Sequence, residues 1–120
     1  MDELVSNSML LSIKKQLNID KTFTAFDNDI ILLINSAFAT LNQLGVGPEE
    51  GYYITSESNT WDEFIVDSRL TFVKQYIWIC VRILFDPPTG SVLTAFEHLR
   101  DEFAWRIKIA GDDLSRERSV

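Results

Sequence analysis

The chain has 120 residues, of which 46% are apolar and 24% charged, and its 11 basic and 18 acidic residues give a net charge of −7. That length suits one domain with one core and is short for two. The acidic balance argues against a protein that coats nucleic acid, because such affinity comes mostly from Lys and Arg displacing counterions.

The single cysteine, Cys80, cannot form an intramolecular disulfide and fits a reducing compartment. With one histidine, His98, it cannot build a Cys/His zinc site, and a Cys–His pair is the only thiol nucleophile arrangement available. Residues 1–7 carry acids and no apolar run, so no signal peptide is expected. The longest apolar runs, 30–34 and 76–81, fall far short of the roughly 20 residues of a membrane span. Charge is uneven along the chain. Residues 1–68 hold 11 acids and 3 bases, whereas residues 69–120 hold 7 acids and 8 bases. Such asymmetry points to two faces with different neighbours.

Four helical patterns follow in order. The first spans about 8–17, with Leu10, Ile13 and Leu17 inward and Lys14 and Lys15 on the other side. The second spans about 25–44, with Thr24 as N-cap and Asp27 placed to help close a capping box. Its apolar stripe is Ile30, Leu33, Ile34, Ala37, Phe38, Leu41 and Leu44, and Gly45 fits its left-handed end. A long loop at about 45–67 follows, with a short strand expected at 52–55 and a Thr60/Glu63 capping box opening a helical turn. From Glu49 to Asp67 the loop holds six acids and no base.

The third pattern spans about 69–85, with Ser68 as cap. Leu70, Val73, Ile77, Cys80, Val81 and Leu84 form one face, and Phe72, Tyr76, Ile79 and Ile83 much of the other. A helix apolar nearly all round is central to a core or buried against another subunit. Trp78 adds to that surplus, so Phe72, Tyr76, Trp78, Ile79 and Ile83 are the candidate subunit interface. Asp86-Pro87-Pro88 stops this helix. The fourth pattern spans about 92–109, with Val92, Ala95, Phe96, Leu99, Phe103 and Ile107 inward and Gly111 as terminator. The prediction is an all-α fold, a small bundle of four main helices with one long loop, over a single domain at 1–111. A flexible C-terminal tail is expected at 112–120.

Catalytic chemistry finds little support. His98 lacks a second histidine and reads as a surface or boundary residue. Cys80 lies mid-helix among apolar neighbours, away from the cations that make a thiol reactive. Asp27-Asn28-Asp29 opens like a calcium loop but lacks the later glycine and acid. Glu97 and Asp101 are one carboxylate pair at helical spacing, where magnesium-dependent nucleotide hydrolysis needs two. No cofactor is expected. The acidic loop reads either as a solvated surface or as one past which DNA slides without sticking.

The run Phe26-Asp27-Asn28-Asp29-Ile30-Ile31, then Ile34-Asn35-Ser36-Ala37-Phe38, then Leu41-Asn42-Gln43-Leu44-Gly45-Val46-Gly47-Pro48 forms an ordered set. It continues through Val73-Lys74, Tyr76-Ile77 and Val81-Arg82 to Leu84-Phe85-Asp86-Pro87-Pro88-Thr89, and closes on Phe103-Ala104-Trp105-Arg106. This set, over about 8–109, resembles the small head–tail connector (adaptor) proteins of long-tailed phages. The resemblance implies a non-enzymatic helical subunit of a dodecameric ring. The ring docks under the portal after DNA packaging, extends the DNA channel and receives a stopper or tail-completion protein. It implies a place in the virion neck, assembly in the host cytoplasm, DNA passing without specific binding, and no membrane. It further implies portal contacts at Arg106, Lys108, Arg116 and Arg118. Glu49, Glu50, Tyr52, Tyr53 and Glu57 become the loop surface facing the channel or the next protein. Two other readings stay open, a small acidic nucleotide hydrolase and an adaptor for a host partner.

Overall fold

The computed structural model describes residues 7–118, with the side chain of Arg118 left out. Helix α1, Met9–Gln16, starts at Ser8, whose Oγ accepts the Leu11 N–H (3.2 Å) and donates to the Glu57 carbonyl (2.7 Å). One hydroxyl thus caps the helix and ties it to the long loop. Met9, Leu10, Leu11, Ile13 and Leu17 are buried, and Asn18 at φ 62° turns the chain away.

Lys14 departs from the solvent-facing side the spacing assigns to it, being fully buried. Its Nζ lies 2.8 Å from Asp27 Oδ1 and donates to the carbonyls of Lys21 (3.2 Å) and Phe23 (2.7 Å). Two backbone carbonyls take its hydrogen bonds and the carboxylate balances its charge. The same pairing corrects the start of helix α2, Asp27–Gln43. Thr24 does not cap it through its side chain; the Thr24 carbonyl accepts the Asp27 N–H (3.2 Å), and the Asp27 carboxylate turns to Lys14.

Ile30, Ile34, Ala37, Phe38 and Leu41 are the buried stripe of α2, and Gly45 at φ 82° follows its end as expected. Residues 52–55 form no strand among the described residues. Ile54 finds its partners in one side chain instead, as Asn35 donates to its carbonyl (3.0 Å) and accepts its N–H (2.7 Å). A carboxamide carries one acceptor and two donors, so it replaces the neighbouring strand. The Thr60/Glu63 capping box forms and opens a short 3-10 turn, Trp61–Glu63. Inside the loop, the rings of Tyr52 and Phe64 close on Phe38 at centroid distances of 4.9 and 4.7 Å.

A second 3-10 turn, Ser68–Leu70, leads into helix α3, Phe72–Phe85. Asp67, not Ser68, caps the turn, accepting the Arg69 N–H at 2.9 Å. Prolines 87 and 88 follow the end of α3, and helix α4 runs Gly90–Arg118. The four-residue link makes α3 and α4 antiparallel neighbours, with Phe72 stacked on Phe103 (5.3 Å) and Trp78 tilted on Phe96 (5.6 Å).

The α4 boundary is a further correction. The helix passes straight through Gly111 and takes in residues 112–118, where a tail was expected. Three tertiary contacts account for this. A Cβ at Gly111 would lie 3.0 Å from Val46 Cγ2, so glycine here serves a close approach rather than a stop. Leu114 packs against the core. Arg69 forks onto both oxygens of Glu117 at 2.9 Å each. The inward face of α4 is corrected too: Ala95 is exposed, as are Val92 and Leu99 at 51% and 39%. The first half of α4 packs chiefly on α3, which covers only one stripe.

The Arg69 site also sets a pH response. Its guanidinium holds Asp67 at about 2 and lowers Glu117 from its ordinary value, chiefly through hydrogen bonds. Folded pKa values below the unfolded ones mean stabilisation that is present above the ordinary carboxylate range and lost as pH falls through the folded values. The end of α4 is therefore expected to loosen between about pH 4 and about pH 2. Amide shifts of residues 112–117 followed by NMR check this, and a Glu117→Gln protein should lack the Glu117 part of the transition.

Candidate functional site

Three surfaces stand out. The first is the loop between α2 and α3. Glu49, Glu50 and Glu57 are exposed, and Tyr53 is 69% exposed. Asn42 donates to the Pro48 carbonyl (3.0 Å) and Asn59 accepts the Thr55 N–H (2.9 Å), so side chains on both flanks hold the loop in shape. Tyr52 departs from the loop-surface group. Its ring packs on Phe38 and Phe64, and its hydroxyl donates to Glu63 at 2.8 Å. Burial first, then the Glu63 carboxylate, raises its phenol above the ordinary value, so Tyr52 anchors the loop.

The second surface is the outer face of α4. Trp105 (62% exposed), Arg106 and Ile109 line a shallow depression of about 350 Å³ with Arg69 and Phe72. The cations here are paired rather than bare. Arg106 lies 3.5 Å from Glu102 and 5.6 Å over the Phe72 ring, Lys108 is 2.9 Å from Asp112, and Arg116 pairs with Asp113. The fourth expected cation, the Arg118 side chain, lies outside the described residues. A mixed-charge helix with an exposed tryptophan is suited to a protein partner more than to a phosphate backbone.

The third surface is a groove of about 480 Å³ between α1 and α3, lined by Lys15, Gln16, Trp61, Lys74, Gln75 and Trp78 among others. Trp61 is buried and donates its indole N–H to Ser12 Oγ (2.9 Å), with Lys74 Nζ 5.8 Å over its ring. The Trp78 Nε1 is buried and has no hydrogen-bond partner. Buried indole N–H groups are normally satisfied, so this one is an exception inside the protomer. Of the five residues expected at a subunit interface, Tyr76 and Ile79 are 3% and 2% exposed and spend their surface inside the protomer. Phe72, Trp78 and Ile83 are half-buried. The surplus apolar area sits instead on other residues, among them Leu32, Leu84 and Trp105.

The groups with catalytic potential are dispersed. Among the described residues no three His, Cys, Asp or Glu side chains come together to hold a metal. His98 is exposed on α4, and burial pushes the Cys80 thiol up to about 11, against thiolate chemistry. No helix among the described residues is long and apolar enough to cross a membrane. Sequence reasoning missed the Lys15–Lys74 groove and the Arg69–Glu117 fork. The unpaired lysines at 15 and 74 were the available signal for the groove, but nothing in the spacing says they meet.

No curated protein and no solved structure matches the chain. A family profile described as phage connector protein matches residues 9–113, a span that takes in all of α1, α2 and α3 and most of α4. That agrees with the ordered motifs from Phe26 to Arg106, and the chain therefore belongs to the phage connector protein family, the viral head–tail connectors of virion assembly.

Proposed function

We propose that the protein is a structural ring subunit of the virion neck. Twelve copies dock on the portal after DNA packaging, extend the DNA channel and receive the stopper or tail-completion protein. The family match over residues 9–113 carries this reading. Two features support it. Large apolar side chains stay exposed on several elements, including Leu32 at 67%, Leu84 at 65% and Trp105 at 62%, as a subunit with several neighbours requires. The loop from Glu49 to Asp67 holds six acids and no base, which suits DNA that passes without binding. In this reading Arg106, Lys108, Arg116 and Arg118 meet the portal together with Trp105. Glu49, Glu50, Tyr53 and Glu57 form the loop surface. Phe72, Trp78 and Ile83 contribute to subunit contacts, with Tyr76 and Ile79 supporting them from behind. The protein works in the virion and is assembled in the host cytoplasm.

The test is light scattering and negative-stain microscopy of the purified protein, alone and with its portal. Rings, free or seated on the portal, are the expected result. A strict monomer at high concentration that never binds the portal would overturn the reading.

A further inference from the structure

We propose that the groove between α1 and α3 receives the acidic 49–57 loop of a second copy of this chain. The inference rests on the ring-subunit reading and gives the exposed 49–57 acids to a neighbouring subunit in place of the DNA channel. The groove carries Lys15 and Lys74, both exposed, and no acid lines it. Among the described residues neither lysine has a carboxylate partner, although every arginine in the ion pairs does. The loop shows the reverse pattern, with Glu49, Glu50 and Glu57 exposed and without a cation.

The walls suit such a segment. Half-buried Trp78 offers aromatic surface to the exposed Tyr53, while Gln16 and Gln75 offer carboxamides to its backbone. The two surfaces belong to different parts of the fold. The groove lies between α1 and α3, whereas the Glu49 end of the loop is tied to Asn42, near the end of α2. A contact between two different patches is heterologous, the kind that closes into a ring.

Charge reversal tests this. Each of two full-length proteins, Lys15→Glu/Lys74→Glu and Glu49→Lys/Glu50→Lys, should lose self-association by about a hundredfold, because like charges face each other across the contact. Mixed in equal amounts they should assemble again, since each acidic groove then meets a basic loop. Sedimentation velocity and negative stain read the assembly, on the portal where the portal is needed as template. Circular dichroism verifies the fold, and Lys15→Gln/Lys74→Gln gives a milder groove variant should the reversal disturb it. Normal rings from the groove variants, or no recovery in the mixture of folded proteins, overturn the groove assignment while leaving the ring reading standing. Absence of any wild-type assembly overturns both.

Discussion

Replacing Lys14 with methionine is expected to destabilise the protein by about 3 kcal/mol. Methionine keeps most of the stem that α1 buries but removes the ammonium. Asp27 then loses its counter-charge, and the carbonyls of Lys21 and Phe23 lose their shared donor. Breaking a buried pair from one side costs about 3–5 kcal/mol, and the lower end applies because the Asp27 side chain keeps 25% of its exposure. Asp27→Asn should cost a similar amount, about 3 kcal/mol, since it leaves the fully buried Lys14 ammonium without its counter-charge. Against a total stability of about 5–15 kcal/mol, the first change should be plain in a urea titration. Equal midpoints for wild type and Lys14→Met would mean that the ammonium does not organise the link between α1 and α2.

Gly47→Ala is expected to cost about 3 kcal/mol, from two sources that a second variant separates. Gly47 sits at φ 91°, and a Cβ there would lie 2.5 Å from Phe64 Cε2 and 2.8 Å from Cζ. Phe64 is 4% exposed and wedged against Phe38 and Tyr52, so its ring has nowhere to swing. Gly45 has a similar backbone at φ 82°, but a Cβ there would meet nothing within 4 Å. Gly45→Ala should therefore show backbone strain alone, about 1 kcal/mol. The difference between the two midpoints measures the collision with Phe64. Identical losses would mean that the aromatic cluster yields freely.

The helices were legible because burial of one face writes itself into spacing. Ile30, Ile34, Phe38 and Leu41 appear in the sequence as they appear in the core, and the Asp86-Pro87-Pro88 stop acts where it stands. What spacing does not record is contact between distant residues. Lys14 reads as polar-side because its carboxylate partner lies beyond the next turn of chain. Gly111 reads as a terminator because a local rule cannot see Val46 alongside it. Val92 and Leu99 read as core because periodicity marks an apolar face without saying whether anything covers it. The surfaces suffered most. The acidic loop was visible as composition, but Tyr52 inside it proved to be an anchor, and the two-lysine groove exists only once α1 and α3 are side by side.

The carboxamides around the long loop carry a further meaning. Asn35 clamps Ile54, Asn42 holds the Pro48 carbonyl and Asn59 gathers the Thr55 and Ser56 N–H groups. None of these groups titrates, and bonds between neutral groups respond little to ionic strength. Above the acid range in which Glu63 takes a proton, the loop is therefore expected to keep one shape across changes of salt and pH. Its field, by contrast, is screened within about 10 Å at 0.1 M salt. Geometry and electrostatic reach are thus decoupled in this segment, so counterions can dim or restore its field without remodelling the surface that carries it.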